Sequence, residues 1–210
     1  MKYIVMFKKK YTILPDTNIL ARLVKRLDCE SNLCEQLITK KLFCDCSLNA
    51  DVIIPRETLK EMEKMKMCKE RVEFCLLKYE KLTIIGGRRV KHKVSLVSYE
   101  RSMDELKRKL KRDRFLKHLK NDCKRALEGI RDKVDKSLIS ITLVMASNYK
   151  SAGNSIVVLL TMDKGLFSTI RTLVSKAKLT SHAIIPDLSS NTLNKCMNAD
   201  CLIKCILKVT

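Results

Sequence analysis

The chain of 210 residues carries 43 Lys and Arg against 23 Asp and Glu, a formal net charge of +20, and is 46% hydrophobic. That length suits one domain with an insertion or a tail, and that hydrophobic share excludes wholesale disorder. A domain this basic meets a polyanion, either nucleic acid or an acidic membrane surface, and composition does not choose between them.

The opening apolar run, Tyr3 to Phe7, is too short for a signal-peptide core and is followed by three lysines. No stretch approaches the ~18 apolar residues of a membrane span, so the expectation is a cytoplasmic protein with no membrane partner. Tyr11-Thr12-Ile13-Leu14 reads as a buried strand that stops at Pro15-Asp16. Ile19, Leu20, Leu23, Val24 and Leu27 then share one helix face, with Thr17 or Asn18 as the cap. A less regular helical stretch runs from Asn32 to about Leu42. Val52-Ile53-Ile54 is the second strand, stopped by Pro55, and Leu59, Met62 and Met65 continue it into a helix. Thr83-Ile84-Ile85 is a third short strand, ending at Gly86-Gly87.

Residues 86–133 then hold 17 Lys and Arg against seven Asp and Glu, which is +10 and half the net charge. Leu106, Leu110, Leu119, Cys123, Leu127 and Ile130 give this stretch a narrow apolar stripe. It reads as a basic helical insertion over about residues 86–128. Leu138, Ile139, Thr142, Leu143 and Ala146 share a face of the next helix, and Asn148 to Asn154 reads as a loop. Ile156 to Leu160 is the strongest strand, followed by Thr161-Met162-Asp163, a helix from Lys164 to about Ala177, and Ala183-Ile184-Ile185-Pro186. Continuous apolar strands alternating with helices predict an α/β fold, a three-layer α/β/α sandwich around a central, mostly parallel sheet. It should occupy residues 1–190, with 191–210 as a C-terminal extension packed on it.

Two of these strands end alike, with an apolar run, an Asp and then a helix. Asp16 and Asp163 are 147 residues apart, yet open α/β sheets bind ligands in one crevice beyond the carboxyl ends of their strands. Paired carboxylates repel one another unless a cation sits between them, and an all-oxygen donor set suits a hard ion such as Mg²⁺ or Mn²⁺. An Asp before a helix is also an ordinary N-cap, so each taken singly reads as a cap as readily as a ligand. Two further acids weigh against that. Glu61 lies six residues past Pro55, and Asp135 lies at the edge of its helix's buried face. Glu57 is one turn before Glu61 on the same face and competes with it for the role.

Asp16-Thr17-Asn18-Ile19-Leu20 after a strand resembles the opening motif of PIN-domain ribonucleases, VapC-like enzymes among them. Ile54-Pro55-Arg56-Glu57-Thr58-Leu59-Lys60-Glu61-Met62 resembles the second motif, whose acid corresponds to Glu61. Val134-Asp135-Lys136-Ser137-Leu138-Ile139 is similar to the third, and Leu160-Thr161-Met162-Asp163-Lys164-Gly165-Leu166 to the fourth. The resemblance covers about residues 11–186. It implies a PIN-like sheet and a metal-dependent endoribonuclease that hydrolyses single-stranded RNA. Asp16, Glu61, Asp135 and Asp163 would be the catalytic residues and hold one or two Mg²⁺ or Mn²⁺ ions, with Asn18 and Thr161 orienting them. The protein would be the toxin of a toxin–antitoxin pair or an RNA-processing nuclease. An antitoxin, a processing protein and a homodimer are the further partner expectations. The alternative is a non-catalytic PIN-like module for RNA binding or assembly, and a DNA nuclease of the 5′-nuclease group ranks behind both.

Arg88, Arg89, Lys107, Lys111, Arg112 and Lys164 are the expected RNA contacts. Aromatic residues near them are few, Tyr99 and Phe115, so phosphate contact should outweigh base stacking. His92, His118 and His182 are isolated. The groups Cys44-Asp45-Cys46 and Cys196, Cys201, Cys205 lack the matched pairs of a structural zinc site, so the cysteines are expected to pack or cross-link. Cys68 and Cys75, seven apart on a predicted helix, sit ~10 Å apart along its axis and cannot bridge. Cys201 and Cys205 share a helix face if the tail is helical, and either can instead bond a distant thiol such as Cys44 or Cys46.

Overall fold

The computed structural model describes residues 10–25, 41, 49–64, 80–85, 88–153, 155–199 and 201–209. At residues 24–25, 63–64, 80–85, 88–92, 197–198 and 209 it describes the backbone alone. Cys44, Cys46, Cys68, Cys75 and nearly all of the helical stretch expected over 32–42 lie outside the described residues.

Apolar, β-branched runs form the middle of the sheet: β1 (Lys10–Pro15), β2 (Ala50–Pro55) and β5 (Ser155–Leu160). Successive side chains alternate between two cores, as the pleat requires. Ile13, Val158 and Leu160 enter one cluster, and Leu14, Val157 and Leu159 the other. With β3 (Glu80–Ile85), β4 (Arg88–Val97) and β6 (Ala183–Ile184), the strand order is β3-β4-β2-β1-β5-β6. All pairs are parallel except β3 with β4.

One face is covered by α1 (Thr17–Lys25), α2 (Arg56–Lys64), α7 (Ser190–Asn198) and α8 (Leu202–Val209). Their anchors are Leu20, Leu59, Met62, Leu193 and Ile203, all buried. The opposite face carries α3 (Tyr99–Arg112), α4 (Lys120–Gly129), α5 (Lys133–Ala152) and α6 (Lys164–Lys176). Leu106, Cys123, Leu138, Leu143 and Ile170 anchor them there. The architecture is the three-layer α/β/α sandwich. The last two helices belong to one of its cores and are joined by a Cys196–Cys205 disulfide with Cα atoms 5.3 Å apart. Cys205 therefore pairs within the tail and not with a distant thiol. No helix among the described residues is long and apolar enough to cross a membrane.

The basic stretch divides differently from the expectation. Residues 88–97 are a strand, hydrogen-bonded in parallel to β2 and antiparallel to β3, and helix begins only at Tyr99. Val90, Val94 and Leu96 alternate with polar residues in a period of two, which the surrounding lysines and arginines obscure. Residues 148–152 of the loop expected over 148–154 are also helix. The helix α5 runs on to Ala152 and stops at Gly153, whose φ of 96° is left-handed and whose N–H bonds the Tyr149 carbonyl. Tyr149 itself is tied to Thr12 of β1 through their hydroxyls, so this last turn is held against the sheet.

Candidate active site

The site begins where β1 and β5, paired up to Pro15 and Leu160, run out together. Asp16 directly follows β1. Its N–H donates to the Leu160 carbonyl at 2.9 Å, and its own carbonyl accepts from Ile19 and Leu20, so it starts α1. The carboxylate turns inward and is 4% exposed. Thr161, just past β5, donates its hydroxyl to Asp16 Oδ2 at 3.0 Å and accepts the Asp163 N–H at 3.0 Å. One buried hydroxyl thus sets the spacing of the two strand-end acids. Asp163 is exposed and caps α6, its Oδ1 accepting the Leu166 N–H at 2.8 Å. A Cβ on Gly165 would lie 3.1 Å from that oxygen, so the glycine gives the cap its room.

Neighbouring elements supply the other acids. Glu61, half-buried on α2, accepts the hydroxyl of buried Thr17 at 2.5 Å. Its competitor Glu57 is engaged elsewhere, accepting the Tyr99 N–H at the start of α3 at 3.0 Å. Asp135 is half-buried in the first turn of α5. Asp132, which the sequence reading passed over, caps that helix by accepting the Val134 and Asp135 N–H groups. Its spacing, Asp-x-x-Asp just before an apolar helix, is a capping signal that could have exposed it.

These acids feel one another. Burial is the largest influence on Asp16 and raises its carboxyl above the ordinary value, opposed by the Thr161 and Thr17 hydrogen bonds and aided by the charges of Asp163 and Asp132. Burial, then hydrogen bonding with Asp132 and repulsion from Asp132 and Asp16, lifts Glu61 to about 7 against the pull of Thr17. Asp135 also rises to about 7, first through burial and then through Asp132, Asp16, Asp163 and Glu61. As placed, no three of the described His, Cys, Asp or Glu side chains gather closely enough to hold an ion. The donor chemistry nevertheless fits a hard divalent cation, because the facing groups are all carboxylates and the charge of neighbouring acids raises Asp16, Glu61 and Asp135.

The remaining expected residues are dispersed. Asn18 is exposed one position past Thr17, and Lys164 is exposed beside Asp163. Lys107, Lys111 and Arg112 are exposed along α3, on the layer that carries Asp135. Arg88 and Arg89 open β4, and their side chains are outside the description. Thr17, expected only as a cap, is the group that holds Glu61.

Among known proteins, the family model for the PIN domain matches residues 13–173. No curated protein and no solved structure matches the chain.

Proposed function

The chain belongs to the PIN-domain family, and from that premise we propose that it is a Mg²⁺- or Mn²⁺-dependent endoribonuclease acting on single-stranded RNA. One observation carries the reading. In a chain with 43 cations to 23 acids, six acids elsewhere are ion-paired: Asp51, Asp104, Glu105, Asp113, Asp122 and Glu128. Among the described residues, no such pair reaches Asp16, Glu61, Asp132, Asp135 or Asp163. A fold this rich in lysine and arginine that leaves its acid cluster uncompensated is suited to a cation from outside.

Asp16, Glu61, Asp135 and Asp163 would hold that cation, with Thr161 aiming Asp16, Thr17 aiming Glu61, and Asp132 fixing the first turn that carries Asp135. When bound, a divalent ion lowers the pKa of a coordinated water and stabilises the leaving oxygen of a phosphodiester. Burial of Asp16 beyond the ends of β1 and β5 shields its carboxylate from bulk water, and the Thr161 hydroxyl bonds it there. Lys164, exposed beside Asp163, would meet a phosphate of the strand. An antitoxin-bound toxin and an RNA-processing nuclease are two settings for this activity. A homodimer, and an antitoxin or processing protein as partner, belong to the same proposal.

The competing reading, a non-catalytic RNA-binding module, draws support from the unconverged carboxylates. End-labelled single-stranded RNA separates the two. The expected result is cleavage with Mg²⁺ or Mn²⁺, none in EDTA, and none with Asp16→Asn or Asp163→Asn at unchanged circular dichroism. Cleavage that survives chelation or both substitutions would sink the nuclease reading, and RNA binding without cleavage would establish the module.

A further inference from the structure

Between α3, α4 and the start of α5 lies an open groove of about 350 Å³. Met103, Leu110 and Leu127 give it an apolar wall, and all three are only partly buried. Lysines 107, 111, 120, 124 and 136 line it as well, against one acid, Glu128. Lys107 and Lys124 make single-turn ion pairs with exposed Asp104 and Glu128 at 3.6 and 3.8 Å, contacts worth little in water. Lys111, Lys120 and Lys136 form no ion pair among the described residues. Apolar surface ringed by cations selects a ligand with an apolar body and negative charges at its edge.

Position narrows the choice. The groove lies beside the first turn of α5, which carries Asp135, so a strand bound at the acids would pass over it. Lys136, on its wall, follows Asp135 in sequence. Tyr99, at its end, is tied by its N–H to Glu57, one turn before Glu61, and lies under the Lys133 ammonium 5.3 Å from the ring centre.

We propose that this groove is a base-binding slot, receiving one unstacked nucleobase of single-stranded RNA against Met103, Leu110 and Leu127 while its lysines hold the flanking phosphates. It rests on the RNA-directed reading above and deepens it: substrate would be gripped by a base beside the acids as well as by its backbone. The sparse aromatics suggest that phosphate contact outweighs base stacking; the apolar wall supplies surface that rings otherwise provide.

The test compares a short labelled oligoribonucleotide with a base-free strand of equal length and charge, titrated in EDTA by fluorescence anisotropy. The full chain should prefer the base-bearing strand about tenfold, the loss expected for one base contact. Leu127→Gln should erase that preference while keeping the affinity for the base-free strand and its salt dependence. Met103→Gln, on another helix, repeats the test should Leu127→Gln alter the circular dichroism. Equal affinity of the wild type for both strands would overturn the slot, as would a preference that both variants retain. Tighter capture of an acidic amphipathic peptide, lost in Leu127→Gln while RNA binding persists, would overturn it in favour of protein docking. Because binding is read without turnover, absent cleavage with intact base preference sinks only the nuclease reading, and the reverse sinks only the slot.

Discussion

Asp135 stands in the folded protein with a carboxyl at about 7 in place of the ordinary 3.8. At 1.36 kcal/mol per pH unit the difference corresponds to ~4 kcal/mol. The group is half-buried and shares its repulsion with Asp132, Asp16, Asp163 and Glu61, so solvent screening and coupling reduce the usable part to ~1–2 kcal/mol. The sign follows from linkage. A folded-state value above the unfolded one means that the native state holds the proton more tightly, so this stabilisation is complete below about 3.8 and lost as pH rises through about 7. Asn at position 135 cannot charge, and no hydrogen bond to the Asp135 carboxylate is lost among the described residues. Asp135→Asn should therefore match the wild type near pH 4 and exceed it by ~1–2 kcal/mol at pH 8. Urea unfolding in EDTA at several pH values measures this, since the shift is a property of the metal-free protein. A variant equal to or weaker than wild type at pH 8, or a gap independent of pH, would refute the mutual repulsion.

Thr161→Val deletes the hydroxyl that joins Asp16 to the Asp163 N–H. It should cost roughly 1–3 kcal/mol in urea unfolding, more where Asp16 is charged than where it is protonated, because that hydroxyl holds the raised Asp16 carboxyl down. A loss under ~0.5 kcal/mol, the range of ordinary surface substitutions, would show that the link does not persist in solution. Cys196→Ser opens the disulfide to Cys205, nine residues away, and should lower stability by about 2–3 kcal/mol in the loop-closure account. Thermal unfolding measures that loss, and RNA cleavage should persist, because the bridge joins α7 to α8 and reaches none of the acids.

The sheet was legible wherever apolar runs stood free of charge. Ile13-Leu14 and Ile156 to Leu160 are buried on both faces, and nothing polar in those runs competes with a strand reading. Arg88 to Val97 was not legible, because Lys91 and Lys93 interleave with the valines and a lysine-rich stretch looks like a solvated helix face. Its strand character comes from pairing with β2, a contact between residues some forty apart that local pattern does not register. The end of α5 failed for a similar reason: Asn148 to Asn154 has loop composition, but the Tyr149–Thr12 contact holds the helix on to Ala152, where the left-handed Gly153 ends it. At the site, the strand-end acids were readable from position alone. Glu57 and Glu61 share a helix face, and spacing from Pro55 put Glu61 ahead; in the structure Glu61 accepts the Thr17 hydroxyl and Glu57 the Tyr99 N–H.

Asp132 shows why a cluster of this kind does not relax. Its carboxylate caps α5 through the Val134 and Asp135 N–H groups, and anions are stabilised at a helix N-terminus. The same charge raises Glu61 and Asp135 toward neutrality. Removing Asp132 would relieve the repulsion but uncap the helix whose next residues, Leu138 and Ile139, are fully buried. The core therefore fixes the cap, the cap fixes Asp135, and the repulsion is retained as a consequence of the fold. A lysine in place of Asn18 would add a compensating charge at little cost to packing, since Asn18 at the cluster's edge is exposed. Holding both the packing and the uncompensated charge is what a site for an exogenous cation requires, and it separates this cluster from the paired acids elsewhere in the chain.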